Sequence, residues 1–231
     1  MPRWINVLLV VGAPLFGAQC TSAAVPSLDV PACVAGKGSV QYDKSVPNGE
    51  SAFPLTQVDL CYTDNAINIV FTAHEEINFY YNASQTTNDA IYNYEVMEAF
   101  IYRGTNDPQT YLEFEVSPNN VTFQAFIYNP TKVRVTGAPF DTFYVAEPLV
   151  DGLIANTVLN PETQTWTSAA SIPLGLFNVD NGQAQGTQWR MNFFRTIVSP
   201  DTFPDQGLGA WSPTNQSSFH MTPFFGNVQF V

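Results

Sequence analysis

Short runs of β-branched and aromatic residues recur along this chain, separated by Pro, Gly, Asn and Asp at roughly ten-residue intervals. Leu112, Phe114 and Val116 alternate with Tyr111, Glu113 and Glu115. That period of two marks a strand with one face in the core and the other expected to be wet. The same reading predicts strands at residues 58–62, 66–73, 77–81, 94–103, 111–116 and 121–128, then at 142–146, 152–159, 163–172, 188–196 and 225–231. Turn chemistry joins several of them, as in Gly104-Thr105-Asn106-Asp107-Pro108 and Ser117-Pro118-Asn119-Asn120. Helical periodicity is nearly absent, and no strand–helix–strand rhythm appears. The prediction is an all-β, antiparallel, jelly-roll-like sandwich in one domain over residues 25–231. Residues 25 to 50 are turn-rich and are expected to wrap around it.

The first 24 residues are set apart from this pattern. Arg3 supplies a positive start, residues 4–16 are mostly apolar, and small residues follow up to Ala24. This is the layout of a secretory signal peptide, with cleavage expected after Cys20, Ala23 or Ala24. Removing Cys20 turns three cysteines into one pair, Cys33 and Cys61, in an oxidising compartment. A disulfide closing that loop would stabilise the fold by roughly 3 kcal/mol. Asn82-Ala-Ser84, Asn120-Val-Thr122 and Asn215-Gln-Ser217 are sequons, as expected of a secreted glycoprotein. The expected location is extracellular.

Charge narrows the partners. The full chain carries a formal charge of −12 at pH 7, with 20 acidic residues against 8 basic ones. Neither nucleic acid nor an anionic membrane surface would meet a basic patch here. Cations are better partners: Asp64, Glu75, Glu76, Asp89, Asp141 and Asp151 fall at predicted loops or strand ends, where carboxylates and carbonyls suit Ca²⁺. Glu95 with Glu98, or Glu113 with Glu115, are the carboxyl pairs a glycoside hydrolase would draw on. The latter pair has the spacing of a Ca²⁺ site or a solvated strand face just as well. Neither a Gly-x-Ser-x-Gly elbow nor a zinc-type His-Glu-x-x-His motif occurs, and the histidines are His74 and His220 only.

Sugar recognition needs flat aromatic faces and polar groups that bond hydroxyls. Trp166 sits in a predicted strand with small neighbours and is expected in the core. Trp189 is flanked by Arg190 and Arg195 and is compatible with either core or surface. Trp211 follows a Gly/Pro-rich stretch and is the best candidate for an exposed loop aromatic.

A resemblance runs through several segments in order. They are Tyr92-Asn93-Tyr94-Glu95-Val96-Met97-Glu98-Ala99-Phe100-Ile101, then Tyr111-Leu112-Glu113-Phe114-Glu115-Val116-Ser117-Pro118. Trp166 with Ile172-Pro173-Leu174, Trp189-Arg190-Met191-Asn192-Phe193-Phe194-Arg195, Ala210-Trp211-Ser212-Pro213, Phe219-His220 and Phe225-Gly226 follow. Together they resemble the family 9 carbohydrate-binding modules of the DOMON-like superfamily and their fungal secreted relatives. The resemblance implies a sandwich that binds glucan- or xylan-type saccharides, such as plant or fungal cell-wall glycan, without catalysis and with structural Ca²⁺. It puts an aromatic clamp at Tyr92 and Trp211, an acidic ligand at Glu98, and a strand arginine at Arg103 or Arg134. Tyr92 departs from the tryptophan of that pattern, which weakens stacking. Contacts of this kind imply dissociation constants of order mM to tens of µM. Three other functions follow from the same residues. One is a structural or surface-interaction protein with a degenerate sugar site. Another is a haem electron-transfer domain of DOMON type, using Met97, Met191, His74 or His220. The last is an accessory to glycoside hydrolysis in polysaccharide catabolism.

Overall fold

The computed structural model describes residues 24–231, so the expected signal segment lies outside the described residues apart from Ala24. Thirteen strands account for the architecture. They are β1 (Ser27–Val30), β2 (Gly38–Lys44), β3 (Ala52–Tyr62), β4 (Ala66–Ala73), β5 (Val96–Arg103), β6 (Thr110–Val116) and β7 (Thr122–Tyr128). The chain continues through β8 (Asp141–Tyr144), β9 (Ile154–Asn160), β10 (Thr165–Pro173), β11 (Gln188–Ile197), β12 (Gly207–Ala210) and β13 (Gly226–Phe230). One sheet has the order β1-β13-β11-β5-β6-β7-β8 with β12 also paired to β11; the other runs β2-β3-β4-β10-β9. Every pairing is antiparallel except β1 with β13. The all-β sandwich expected from the strand rhythm is the fold.

The main core lies between the sheets. Alternate residues of β4 (Ile67, Ile69, Phe71, Ala73) meet Met97, Ala99 and Ile101 of β5, Leu112, Phe114 and Val116 of β6, and Met191 and Phe193 of β11. Trp166 is fully buried there, as its small-residue neighbours suggested, and Trp189 joins it with 1% exposure. β5, β6 and β11 are also buried on their other face. A second apolar cluster covers that outer face, built from Ile91, Val96, Phe100, Tyr111, Phe123, Phe194, Phe219 and Phe225 with their neighbours. Phe219 and Phe225 belong to the segment after β12, and Ile91 to the one before β5. The larger sheet is therefore roofed by loops, and the candidate site forms where that roof opens.

Three expectations change. Residues 25–50 do more than wrap: they supply β1 and β2, edge strands of the two sheets. The Cys33–Cys61 disulfide is present and ties the segment between them to β3. Residues 77–81 are not a strand, because buried carboxylates take their backbone donors. Glu76 Oε1 accepts the N–H groups of Asn78 (2.8 Å) and Phe79 (3.1 Å), and Glu95 Oε2 accepts that of Tyr80 (2.7 Å). Phe79 has a φ of 45°, outside strand geometry. Finally, Glu113 and Glu115 do not lie on a wet face; they are 6% and 0% exposed.

Candidate functional site

Strand register gathers three carboxyls. Glu98 of β5 lies directly opposite Glu115 of β6, and Glu113 is two residues from Glu115 on the same face of its strand. One ligand oxygen from each lies within 4.8 Å of the others. All three belong to the outer face of the larger sheet, beneath the loop roof, and form the floor of a cleft of about 380 Å³. Like charges facing one another across a ladder repel, and withdrawal from water compounds this. Burial, then repulsion by Glu113, holds Glu98 well above the usual carboxyl range, despite the Thr196 hydroxyl beside it. Burial, followed by Glu98 and Glu113, does the same to Glu115. Glu113 is pushed by burial up to about 8. Each shift favours the neutral acid over the carboxylate, so the three groups resist carrying charge together without a positive partner.

Aromatic groups make the walls. Tyr92 and Tyr144 are 47% and 54% exposed, and each packs edge-on against Phe123, at centroid distances of 5.9 and 5.6 Å. Gln206, which also lines the cleft, donates to the Tyr92 carbonyl at 2.7 Å. His220 stacks on Phe100 (5.1 Å), meets Phe140 edge-on (4.8 Å) and has Nδ1 2.7 Å from the Tyr111 hydroxyl. Burial, and to a lesser degree Arg134, lowers its pKa to about 3. The ring is therefore neutral, and its 3.8 Å approach to Glu113 is neither an ion pair nor a hydrogen bond. Arg134 lies over the Phe140 ring at 3.9 Å and brings the cleft a positive charge.

The structure thus brings Tyr92 and Glu98 together, but not Trp211 or Arg103. Trp211 is half-buried: its ring packs on Phe193 (5.6 Å) and lies over Gly226, where a Cβ would overlap it. It borders a separate cavity with Pro26, Lys44 and Asn48. Arg103 donates to the carbonyls of Asn178 (2.6 Å) and Phe177 (3.4 Å) beside another cavity of about 730 Å³. That cavity is larger, yet its lining has no carboxyl cluster, so chemical content favours the smaller cleft. Of the two candidate arginines, Arg134 is the one in the cleft.

The other sequence candidates have structural settings of their own. Glu76 is buried and paired with Arg195 at 2.9 Å. Met97 and Met191 are fully buried in the inter-sheet core, whereas His220 belongs to the outer face. Asn82, Asn120 and Asn215 all lie in irregular loops, with Asn120 and Asn215 exposed. Tyr144, which no sequence motif singles out, lines the same cleft as Tyr92. Its signal was present, since Thr142 and Tyr144 share a strand face by period two and both line the cleft.

No family model matches the chain. Over 212 residues it is 50% identical to an extracellular protein of Arthroderma benhamiae, covering 92% of this chain and 94% of that protein. The chain belongs to that extracellular protein's family. The shared length and identity place this member outside the cell. Solved structures extend the likeness of the extracellular-protein family at the level of fold. A putative carbohydrate-binding protein from Bacteroides uniformis superposes with a TM-score of 0.68 at 15% identity, over 90% of this chain and 100% of that one. A family 9 carbohydrate-binding module from Caldicellulosiruptor kristjanssonii, in complex with cellotriose, gives 0.55 at 12% identity, over 88% and 93%. The same module family from that organism in complex with glucose gives 0.53 at 14% identity. The sandwich fold is common to all of them.

Proposed function

We propose that this is a secreted, non-catalytic saccharide-binding protein whose site is the cleft between Tyr92 and Tyr144. The observation that carries the reading is the pairing of two exposed tyrosine rings with a floor of hydroxyl-bonding carboxyls, Glu98 and Glu113 foremost. Pyranose rings present apolar C–H faces to aromatic walls and hydroxyl edges to polar groups, which this geometry matches. The volume suits one or two sugar residues, at the low end of the roughly 300–1,000 Å³ of small-ligand sites. Fold neighbours solved with cellotriose and glucose support β-glucan-type ligands, and xylan-type chains share the same ring faces. Secretion by cleavage near Ala24 and glycans on the exposed loop asparagines belong to the same reading.

Calorimetric titration with cellobiose, cellotriose and xylobiose tests it. Saturable binding of at least one, with a dissociation constant between about 10 µM and a few mM, is expected. Absence of binding across these and a broad glycan panel would remove the saccharide reading and leave a surface-interaction role.

A further inference from the structure

We propose that Glu98, Glu113 and Glu115 bind a divalent cation, Ca²⁺ being the ion whose size and ligand preference they match. Their ligand oxygens lie within 4.8 Å of one another. With no separation above 4.8 Å, some point lies within about 2.8 Å of all three oxygens, against about 2.3–2.6 Å for Ca²⁺–oxygen bonds, so little or no contraction is needed. Mg²⁺, at about 2.0–2.1 Å, is the worse match because it demands near-ideal octahedral geometry and gives up its waters reluctantly. Carboxyl oxygens are hard donors, as Ca²⁺ prefers, and all three are held on paired strands rather than on loops.

A cluster of acids alone would not carry this. The second observation is Glu115, which is 0% exposed, with both carboxyl oxygens sealed from solvent and no donor group of the protein within hydrogen-bond reach; its near neighbour is another acid, the Glu113 carboxyl. Buried polar atoms are almost always paired, and an exception asks for the missing partner. The protein's own cations do not fill that role among the described residues. Arg195 is spent on Glu76 and Arg190 on Asp107, while Arg134 lies over Phe140. A cation on the floor would meet Glu115 from the cleft side. Ca²⁺ takes about six to eight oxygens, so positions remain for water or for hydroxyls of a ligand. The inference does not depend on a saccharide entering the cleft.

The test is calorimetric titration of EDTA-treated, dialysed, full-length secreted protein with CaCl₂ and, separately, MgCl₂. One Ca²⁺ per chain is expected, with a dissociation constant of about 0.1–1 mM, as in extracellular Ca²⁺ modules, and weaker Mg²⁺ binding. At about 10 mM Ca²⁺ the thermal midpoint should rise by roughly 3–11 °C. Glu115→Gln should weaken binding at least tenfold, with Glu98→Gln as the second variant if the first does not fold. Asp201→Asn, on an exposed turn, should bind as the parent does. Absence of saturable Ca²⁺ heat, unchanged affinity in a folded glutamine variant, or equal loss in Asp201→Asn overturns the proposal. A saccharide response that persists in EDTA while the Ca²⁺ heat is missing overturns the cation site alone.

Discussion

Replacing Arg195 by methionine should destabilise the protein more than any surface change. The guanidinium is fully buried between β11 and the start of the 75–95 segment. It donates to Glu76 at 2.9 Å, to the His74 carbonyl at 3.0 Å, and to the Leu55 carbonyl and Thr56 hydroxyl at 3.4 Å each. Methionine fills much of the space but leaves Glu76 as a buried carboxylate facing orphaned acceptors. Breaking one side of such a pair costs about 3–5 kcal/mol. For a domain of this size, about 2–4 °C per kcal/mol converts this to a loss of roughly 6–20 °C in thermal midpoint. Urea denaturation of the parent, Arg195→Met, Glu76→Gln and the double variant gives the cycle. The double variant should recover at least about 1.5 kcal/mol relative to the sum of the singles. Glutamine keeps an acceptor for the Asn78 and Phe79 amides while removing the unpaired charge. A cost below about 1 kcal/mol for Arg195→Met, or strict additivity, would refute the claim that this pair organises the segment leading into Tyr92.

Three further outcomes are expected. Glu95 sits beside Arg195 and Glu76, and burial followed by repulsion from Glu76 raises its pKa from 4.5 to about 8 against the pull of the Tyr80 amide, Asn78 and Arg195. Because the folded value exceeds the unfolded one, its contribution is complete below pH 4.5 and is lost as pH rises through about 8, with a ceiling of ~5 kcal/mol. The stability difference between parent and Glu95→Gln should change in that direction between pH 4 and 9 in urea melts; a flat difference contradicts it. Removing the disulfide with Cys33→Ser and Cys61→Ser should cost roughly 3–4 kcal/mol from the freed loop, measured by non-reducing denaturation against the parent. Trp211→Ala should cost about 2–3 kcal/mol through the lost packing on Phe193 and Gly226, yet leave any saccharide dissociation constant of the folded protein unchanged. A selective loss of saccharide binding in a stably folded Trp211→Ala would return that residue to the site.

The sandwich was legible because its strands obey a period of two between strong turn residues. Residues 111–116 show how far that signal reaches: the strand is there and Leu112, Phe114 and Val116 point into the core. Alternation cannot say what covers the other face, however. Phe219 and Phe225 come from a segment over a hundred residues downstream, and they help turn an expected wet face into a roofed one. The same long-range contact converts Glu113 and Glu115 from solvated acids into a buried cluster with Glu98. β1 was hidden because a four-residue edge strand carries little pattern and gains its identity only by pairing with β13; β2 does alternate, but its inward face begins with a glycine and holds only Val40 and Tyr42 as apolar anchors. Residues 77–81 failed for the opposite reason, since β-like side chains there are overruled by Glu76 and Glu95 capturing the backbone amides. Tyr92 and Glu98 were reachable through the resemblance of residues 92–101 to family 9 carbohydrate-binding modules rather than through periodicity, Tyr92 preceding β5 and Glu98 lying within it. Tyr144 and Arg134 enter the cleft from elements whose placement depends on the whole fold.

The central claim is that Tyr92 and Tyr144 are the walls of a saccharide site. It is tested most directly by titrating the parent, Tyr92→Ala and Tyr144→Ala with the best-binding cello- or xylo-oligosaccharide under identical conditions. Each variant should stay folded, because both rings are about half exposed. Each should weaken binding by at least about 2–12-fold, the loss of one aromatic contact of ~0.5–1.5 kcal/mol. Unchanged affinity in both variants, with binding lost instead on substituting Arg103 beside the larger cavity, would contradict it.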